Sequence, residues 1–171
     1  KDRRMHLLNT QAVGDMSVAI YALKASAEDY ARMEQAITLA AQCPPSKGAY
    51  SVGAVIVTED GQVFTGYSRE TAPANHAEEE AILKAIQAGS RLTGATIYSS
   101  MEPCTTRKSK PASCSELIIL HRMKRVVFAA YEPPTFVTCL GETVLQQAGI
   151  EVTILSDLAQ KALDVNRHLV K

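Results

Sequence analysis

The stretch His76-Ala77-Glu78, followed by Pro103-Cys104 and then Cys114, constrains this chain more than any other feature. One histidine, two cysteines and one non-ligating glutamate are the parts of a hydrolytic zinc site. Zinc takes imidazole nitrogen and thiolate sulfur in a tetrahedron, and a catalytic site keeps its fourth position for water. Any fold of the chain must therefore bring three separated segments to one point. His76, Cys104 and Cys114 are the candidate ligands of one Zn2+ per chain, and Glu78 is the candidate catalytic proton carrier. A carboxylate can shuttle protons in this way when it stands close to the metal without ligating it. Competing readings are a core histidine with inert buried thiols, or a closed structural site. The latter needs a fourth ligand, for which Cys43 or Cys139 would have to serve. Glu79 and Glu80 are expected to be solvated, with Glu80 paired to Lys84 one turn along the helix.

Composition narrows the function classes. The chain has 171 residues, enough for one domain with a full core, and 46% are hydrophobic, which excludes a disordered chain. Lys+Arg and Asp+Glu balance at 18 each, so no global field gathers polyanions. With only 5% aromatic residues there is no evident stacking platform, and no nucleic-acid partner is expected. No apolar run reaches the roughly 20 residues that span a bilayer, so no membrane partner is expected. Ser17–Leu23 is too short to span, and no small-residue cleavage pattern follows it, so no secretion is read. Four cysteines, two of them at metal spacing, do not make a disulfide framework and point to a reducing, cytoplasmic compartment.

The pattern along the chain alternates helices and strands. Residues 1–25 read as an N-terminal arm broken at Gly14, in which Met16–Leu23 fits a short strand or a helix equally well. Ser26 caps a first helix through Ala41, with Glu28 and Asp29 in its first turn and Pro44-Pro45 beyond it. Tyr50–Thr58 and Gln62–Tyr67 read as strands joined by the turn Glu59-Asp60-Gly61. His76–Ala88 reads as the second helix, closed by Gly89, and Thr96–Ser99 as the third strand. A third helix starts near Cys114 and runs to Arg122; Arg125–Ala130 is the fourth strand. Gly141–Ala148, Ile150–Leu155 and Asp157–Val170 follow as helix, strand and C-terminal helix. This order predicts a mixed sheet with an antiparallel start, then crossovers, and helices on both faces. His76 and Cys114 both stand at helix starts, whose partial positive charge favours thiolate over thiol.

Four stretches carry a family resemblance: SVGAVIV (Ser51–Val57), HAEEEAI (His76–Ile82), MEPC (Met101–Cys104) and the tail of GETVLQQAGIEV (Gly141–Val152). Over roughly Glu28 to Leu155 the chain resembles the cytidine-deaminase-like superfamily. That resemblance implies an α/β fold, a three-layer α/β/α arrangement around a five-stranded mixed sheet, with residues 26–171 as a zinc-dependent deaminase domain. Within the superfamily it is most similar to the riboflavin-pathway pyrimidine deaminases. Most other members carry P-C-x-x-C, whereas nine residues, Thr105 to Ser113, separate the cysteines here. A long basic insertion of this kind resembles the stand-alone eukaryotic DRAP deaminases. Those act on 2,5-diamino-6-ribitylamino-4(3H)-pyrimidinone 5′-phosphate and release ammonia and 5-amino-6-ribitylaminouracil 5′-phosphate. A homodimer is implied by the same resemblance.

The substrate contacts follow as expectations. Counted back from Cys114, Lys110 matches the family's substrate-binding lysine, and Arg107 and Lys108 would complete a charge clamp on the ribityl phosphate. Asn75 would bond the ribityl chain or cap the helix, and Glu102 would read the pyrimidine or hold its loop. Tyr50 fits packing better than ring stacking. Two departures from the bacterial pattern stand out: Ala49-Tyr50 replaces Asn-Pro, and Glu132-Pro133-Pro134-Thr135 replaces Asp-Pro-Asn-Pro. Each is expected to remove a polar substrate contact. The chain ends soon after the fifth strand, so the fused reductase domain of the bacterial enzymes is not expected within it. Two alternatives remain open: a deaminase of another pyrimidine base, nucleoside or nucleotide, and an inactive zinc-stabilised scaffold, against which Glu78 counts.

Overall fold

A computed structural model of the chain describes residues 5–13, 16–23, 25–133 and 139–169. The N-terminal arm forms a separate antiparallel hairpin of β1 (Met5–Val13) and β2 (Met16–Leu23), which decides for strand where the sequence allowed a helix. Gly14, expected to break the stretch, lies outside the described residues.

The main sheet is built from β3 (Gly53–Val57), β4 (Val63–Tyr67), β5 (Thr96–Met101), β6 (Arg125–Ala130) and β7 (Glu151–Ile154), with β3, β5 and β6 almost wholly buried. Its spatial order is β4-β3-β5-β6-β7. β3 pairs antiparallel with β4 and with β5, while β5, β6 and β7 run parallel. This is the mixed five-stranded sheet that the element order predicted. Alternate strand residues feed two cores. Ala54, Ile56, Ile97, Val126 and Phe128 pack with α2 (Ala77–Gln87), α3 (Cys114–Leu120) and α4 (Gly141–Gln147). Val55, Tyr98, Val127 and Ala129 pack with α1 (Ala27–Ala40) and α5 (Ala159–Asp164). The result is three layers. Among the described residues no helix is long and apolar enough to cross a membrane.

Gly66 seats α2 on the sheet. A β-carbon there would stand 2.4 Å from the Ala77 carbonyl oxygen, so only glycine lets the first turn of α2 approach β4 this closely. Several expected boundaries shift. β5 continues past Ser99 to Met101, and α1 stops at Ala40, well before Pro44-Pro45. The C-terminal helix expected over 157–170 is a 3-10 turn (Ser156–Leu158), the short α5, and further turns. Past α5 the chain is held instead by Asn166, fully buried: its Oδ1 accepts from Ser51 N at 2.6 Å and its Nδ2 donates to Ser51 O at 2.9 Å.

Asp29 fastens α1 to the sheet. It stands third in the helix and completes a capping box, accepting from Ser26 N at 2.9 Å while Ser26 Oγ accepts from Asp29 N at 3.2 Å. Its carboxylate also receives a bidentate pair from Arg125 at 2.7 and 3.0 Å and the Tyr98 hydroxyl at 2.8 Å. Burial opposes ionisation, but the Arg125, Ser26 and Tyr98 donors together outweigh it and hold the Asp29 carboxyl below its ordinary range. A depressed folded-state pKa contributes stability that is complete above the unfolded value, about 4, and is lost as pH falls through the folded value. Asp29→Ala is therefore expected to cost about 3 kcal/mol at neutral pH, since it leaves the largely buried Arg125 guanidinium with only the longer Glu151 pair at 3.5 Å and the Thr153 hydroxyl at 3.1 Å. Denaturant unfolding across pH would show this, with a shallower loss of stability below about pH 4 in the variant than in the unmodified chain.

Candidate active site

Two helix starts and the ends of two parallel strands meet at one point. His76 is the N-cap of α2, in extended backbone, and makes no side-chain cap bond, so its ring is free to face the site. Cys114 is the first residue of α3, whose N-cap Ser113 forms a capping box with Glu116. Cys104 lies three residues beyond β5, where Ser115 N donates to its carbonyl at 3.0 Å and Cys114 N donates to its sulfur at 3.3 Å. His76 Nδ1 stands 3.6 Å from Cys104 Sγ and 3.4 Å from Cys114 Sγ.

These three donor atoms fit zinc. All lie within 4.8 Å of one another. A tetrahedron with Zn–S near 2.3 Å and Zn–N near 2.0–2.1 Å has N–S edges of about 3.5 Å, which is the spacing found. The three donors lie close enough to shift one another's protonation. Hydrogen bonding with Cys114, and with the His76 ring, pulls the Cys104 thiol down to about 4, while the same pairing and burial push Cys114 up. Burial disfavours the His76 imidazolium, but the hydrogen bond to Cys104 and the charge of Glu78 raise its pKa. A divalent cation would replace these protons on binding.

Glu78 is 3% exposed, and Ser99 Oγ donates to its Oε1 at 2.9 Å. Burial, then the Cys104 charge, raise its pKa. His76, Glu78 and Cys104 open into one cavity of about 690 Å³, within the range of small-ligand sites.

The other candidate residues sort differently from expectation. Glu79 and Glu80 are buried, not solvated. Glu80 accepts from Thr71 N and Thr71 Oγ1, both at 2.8 Å, and from Asn75 Nδ2 at 3.0 Å; it thereby fixes the loop that delivers His76. Lys84, its expected partner, pairs with Glu70 at 2.5 Å instead. Glu79 takes Arg107 Nη1 at 2.7 Å and Lys110 Nζ at 3.0 Å, and these donors draw its carboxyl down against the effect of burial. Arg107 also donates to Ala74 O, and Lys110 to Asn75 Oδ1 at 2.9 Å. Asn75 thus braces the loop, while His76 occupies the cap position. Lys108 is exposed on the cavity wall. Glu102 lines the cavity and its Oε2 accepts from Glu142 N at 3.0 Å, holding the start of α4. Tyr50 packs in the α1 core beside Met33 and Ile37.

Sequence reasoning missed five contributors. Ser99 was visible only as a polar residue at the end of an apolar strand. Glu79 and Glu80 follow Glu78 at 100° steps around the helix, so they had to meet different neighbours. Glu132, expected to mark a lost polar contact, lines the cavity instead, and burial, then the charges of Cys104 and Glu78, push its carboxyl up to about 7. Arg69 also lines the cavity, with a left-handed backbone at φ 63° that no sequence signal announced.

Comparison with known proteins agrees with this geometry. Diaminohydroxyphosphoribosylamino-pyrimidine deaminase of Schizosaccharomyces pombe is 45% identical over 127 residues, 73% of this chain and 31% of that protein. Riboflavin biosynthesis protein RibD of Aquifex aeolicus is 40% identical over 104 residues, 61% of this chain and 28% of that protein. The chain thus spans about a third of the length of these curated relatives. Among solved structures, the deaminase/reductase of Thermotoga maritima superposes with a TM-score of 0.69 at 29% identity, over 82% of this chain and 40% of that one. The Rib2 deaminase of Aspergillus oryzae in complex with DARIPP superposes with a TM-score of 0.70 at 26% identity, over 80% and 88%. The family model for the cytidine and deoxycytidylate deaminase zinc-binding region matches residues 26–130. That match starts at the Ser26 cap of α1, ends with the last residue of β6 and takes in His76, Cys104 and Cys114, so the chain belongs to the cytidine and deoxycytidylate deaminase family.

Proposed function

We propose that this domain hydrolytically deaminates 2,5-diamino-6-ribitylamino-4(3H)-pyrimidinone 5′-phosphate in riboflavin biosynthesis. The observation that carries the reading is the His76–Cys104–Cys114 cluster opening, beside a buried Glu78, into a small-ligand cavity. The substrate class is supported by the 45% identical relative, named as a diaminohydroxyphosphoribosylamino-pyrimidine deaminase, and by the DARIPP complex of the Aspergillus oryzae protein. The basic segment between Cys104 and Cys114 supports a phosphorylated substrate over a free base.

Zinc held by His76 Nδ1, Cys104 Sγ and Cys114 Sγ would lower the pKa of a coordinated water to roughly 7. Ser99 holds Glu78 Oε1 and leaves Oε2 to act. Glu78 Oε2 takes a proton from the attacking water and passes it to the ring nitrogen beside C2. A second proton reaches the C2 amine by the same carboxylate; the C–O bond forms, the C–N bond breaks and ammonia leaves. Burial of Glu78 excludes bulk water from this relay. The reading includes a reducing cytoplasm, which keeps both cysteines available to the metal, and a homodimer.

Ammonia release from the zinc-loaded protein is expected with the ribityl phosphate and not with cytosine, cytidine or dCMP. Turnover of a cytosine compound alone would replace the substrate while leaving the chemistry. Glu78→Gln is expected to keep its fold and one zinc per chain but lose about 10²–10⁴-fold in kcat; unchanged turnover would remove Glu78 from the mechanism. Cys114→Ser is expected to lose zinc by elemental analysis, and full retention would contradict the ligand set.

A further inference from the structure

A flexible dianion needs cations that no carboxylate has already neutralised. Three cations stand between the cysteine ligands, and their partners separate them. Lys110 Nζ is held by Glu79 Oε1 at 3.0 Å and Asn75 Oδ1 at 2.9 Å, and Lys110 does not line the cavity. Arg107 is bound to the other oxygen of the same carboxylate, with its side chain 3% exposed. One glutamate therefore ties both residues into the wall. Lys108 differs: it is exposed, lines the cavity and has no hydrogen bond or ion pair among the described residues.

A second cation comes from a part of the chain that the motif does not include. Arg69 lines the same cavity. Its Nε and Nη2 donate to Pro44 O at 3.2 and 2.7 Å, Nη1 to Tyr50 O at 3.2 Å, and Nη2 again to Ser51 Oγ at 3.0 Å. These acceptors are all neutral, so the guanidinium is fixed in place while its charge stays uncompensated. One Nη1 hydrogen of its five N–H donors is left over. The backbone accepts a left-handed conformation at Arg69, with Arg69 N donating to Asn75 O at 2.8 Å, to hold it there. The carboxylates on the cavity wall are Glu78, Glu102 and Glu132, and none pairs with Arg69 or Lys108.

We propose that Arg69 and Lys108 bind the phosphate of the substrate, and that Lys110, engaged by Glu79, does not. The site assigned here takes a phosphomonoester, and it rests on the reading of the substrate as a ribityl phosphate. A pre-fixed guanidinium and an unpaired, exposed lysine on the wall of the same cavity give one oriented donor and one adaptable point charge, suited to a flexible chain end.

The test compares the ribityl phosphate with its dephosphorylated form. The KM advantage of the phosphorylated compound should shrink at least tenfold in Lys108→Met and in Arg69→Met, about 1.4 kcal/mol at tenfold. Arg69 also braces the 44–51 loop, so if Arg69→Met fails to fold, Lys108→Met decides. An advantage that survives Lys108→Met and disappears in Lys110→Met would overturn the proposal. Ribitol 5-phosphate binding, followed by ligand-observed NMR on the zinc-loaded protein, separates this from the substrate reading. Binding that Lys108→Met weakens at least tenfold supports the phosphate site even if neither pyrimidine is turned over; no binding to the unmodified protein overturns it.

Discussion

Three consecutive carboxylates in the first turn of α2 hold the site together. Successive helix residues point 100° apart, so Glu78, Glu79 and Glu80 reach three different neighbours. Glu78 faces Ser99 and the cavity, Glu79 binds the basic loop through Arg107 and Lys110, and Glu80 binds Thr71 and Asn75 in the loop before His76. The positive end of the helix dipole eases the crowding of three acids. Gly66 permits the close approach to β4 that puts this turn where it is. A shift of the turn would misplace the histidine, the proton carrier and the basic loop at once.

The sheet supplies the other half. β5 and β6 run parallel and end side by side, at Met101 and Ala130. Cys104 and Glu132 follow those two ends, so the chemistry sits outside the carboxyl ends of parallel strands, where open α/β sheets place their ligands. Glu102 N donates to Ala130 O at 2.8 Å and continues the pairing into the loop that carries Cys104. The layer behind, α1, is fixed to the same strands through Asp29, Tyr98 and Arg125.

Much of this was legible in the chain because it is local. The cap at Ser26, the apolar runs of β3 and β6, and the spacing of His76, Glu78, Cys104 and Cys114 each depend on near neighbours or on one metal's chemistry. What escaped depends on distant partners. Glu79 meets residues 28 and 31 positions away, which a helix-face pattern cannot reveal. Asn166, past the end of α5, bonds to Ser51, 115 positions away. Counting along the basic loop singled out Lys110 as the substrate cation; the position of the Glu79 carboxylate, which engages Lys110 and not Lys108, could not be read from it.

The central claim is an open metal centre with three protein ligands, built by these two halves of the fold. X-ray absorption at the zinc edge of the reconstituted protein tests it most directly. Two sulfurs at about 2.3 Å, one imidazole nitrogen and one further light atom would agree with His76, Cys104 and Cys114 around an exchangeable position. Three sulfurs with no light-atom position beyond the imidazole would mean that Cys43 or Cys139 closes the site, and would contradict a catalytic role for it.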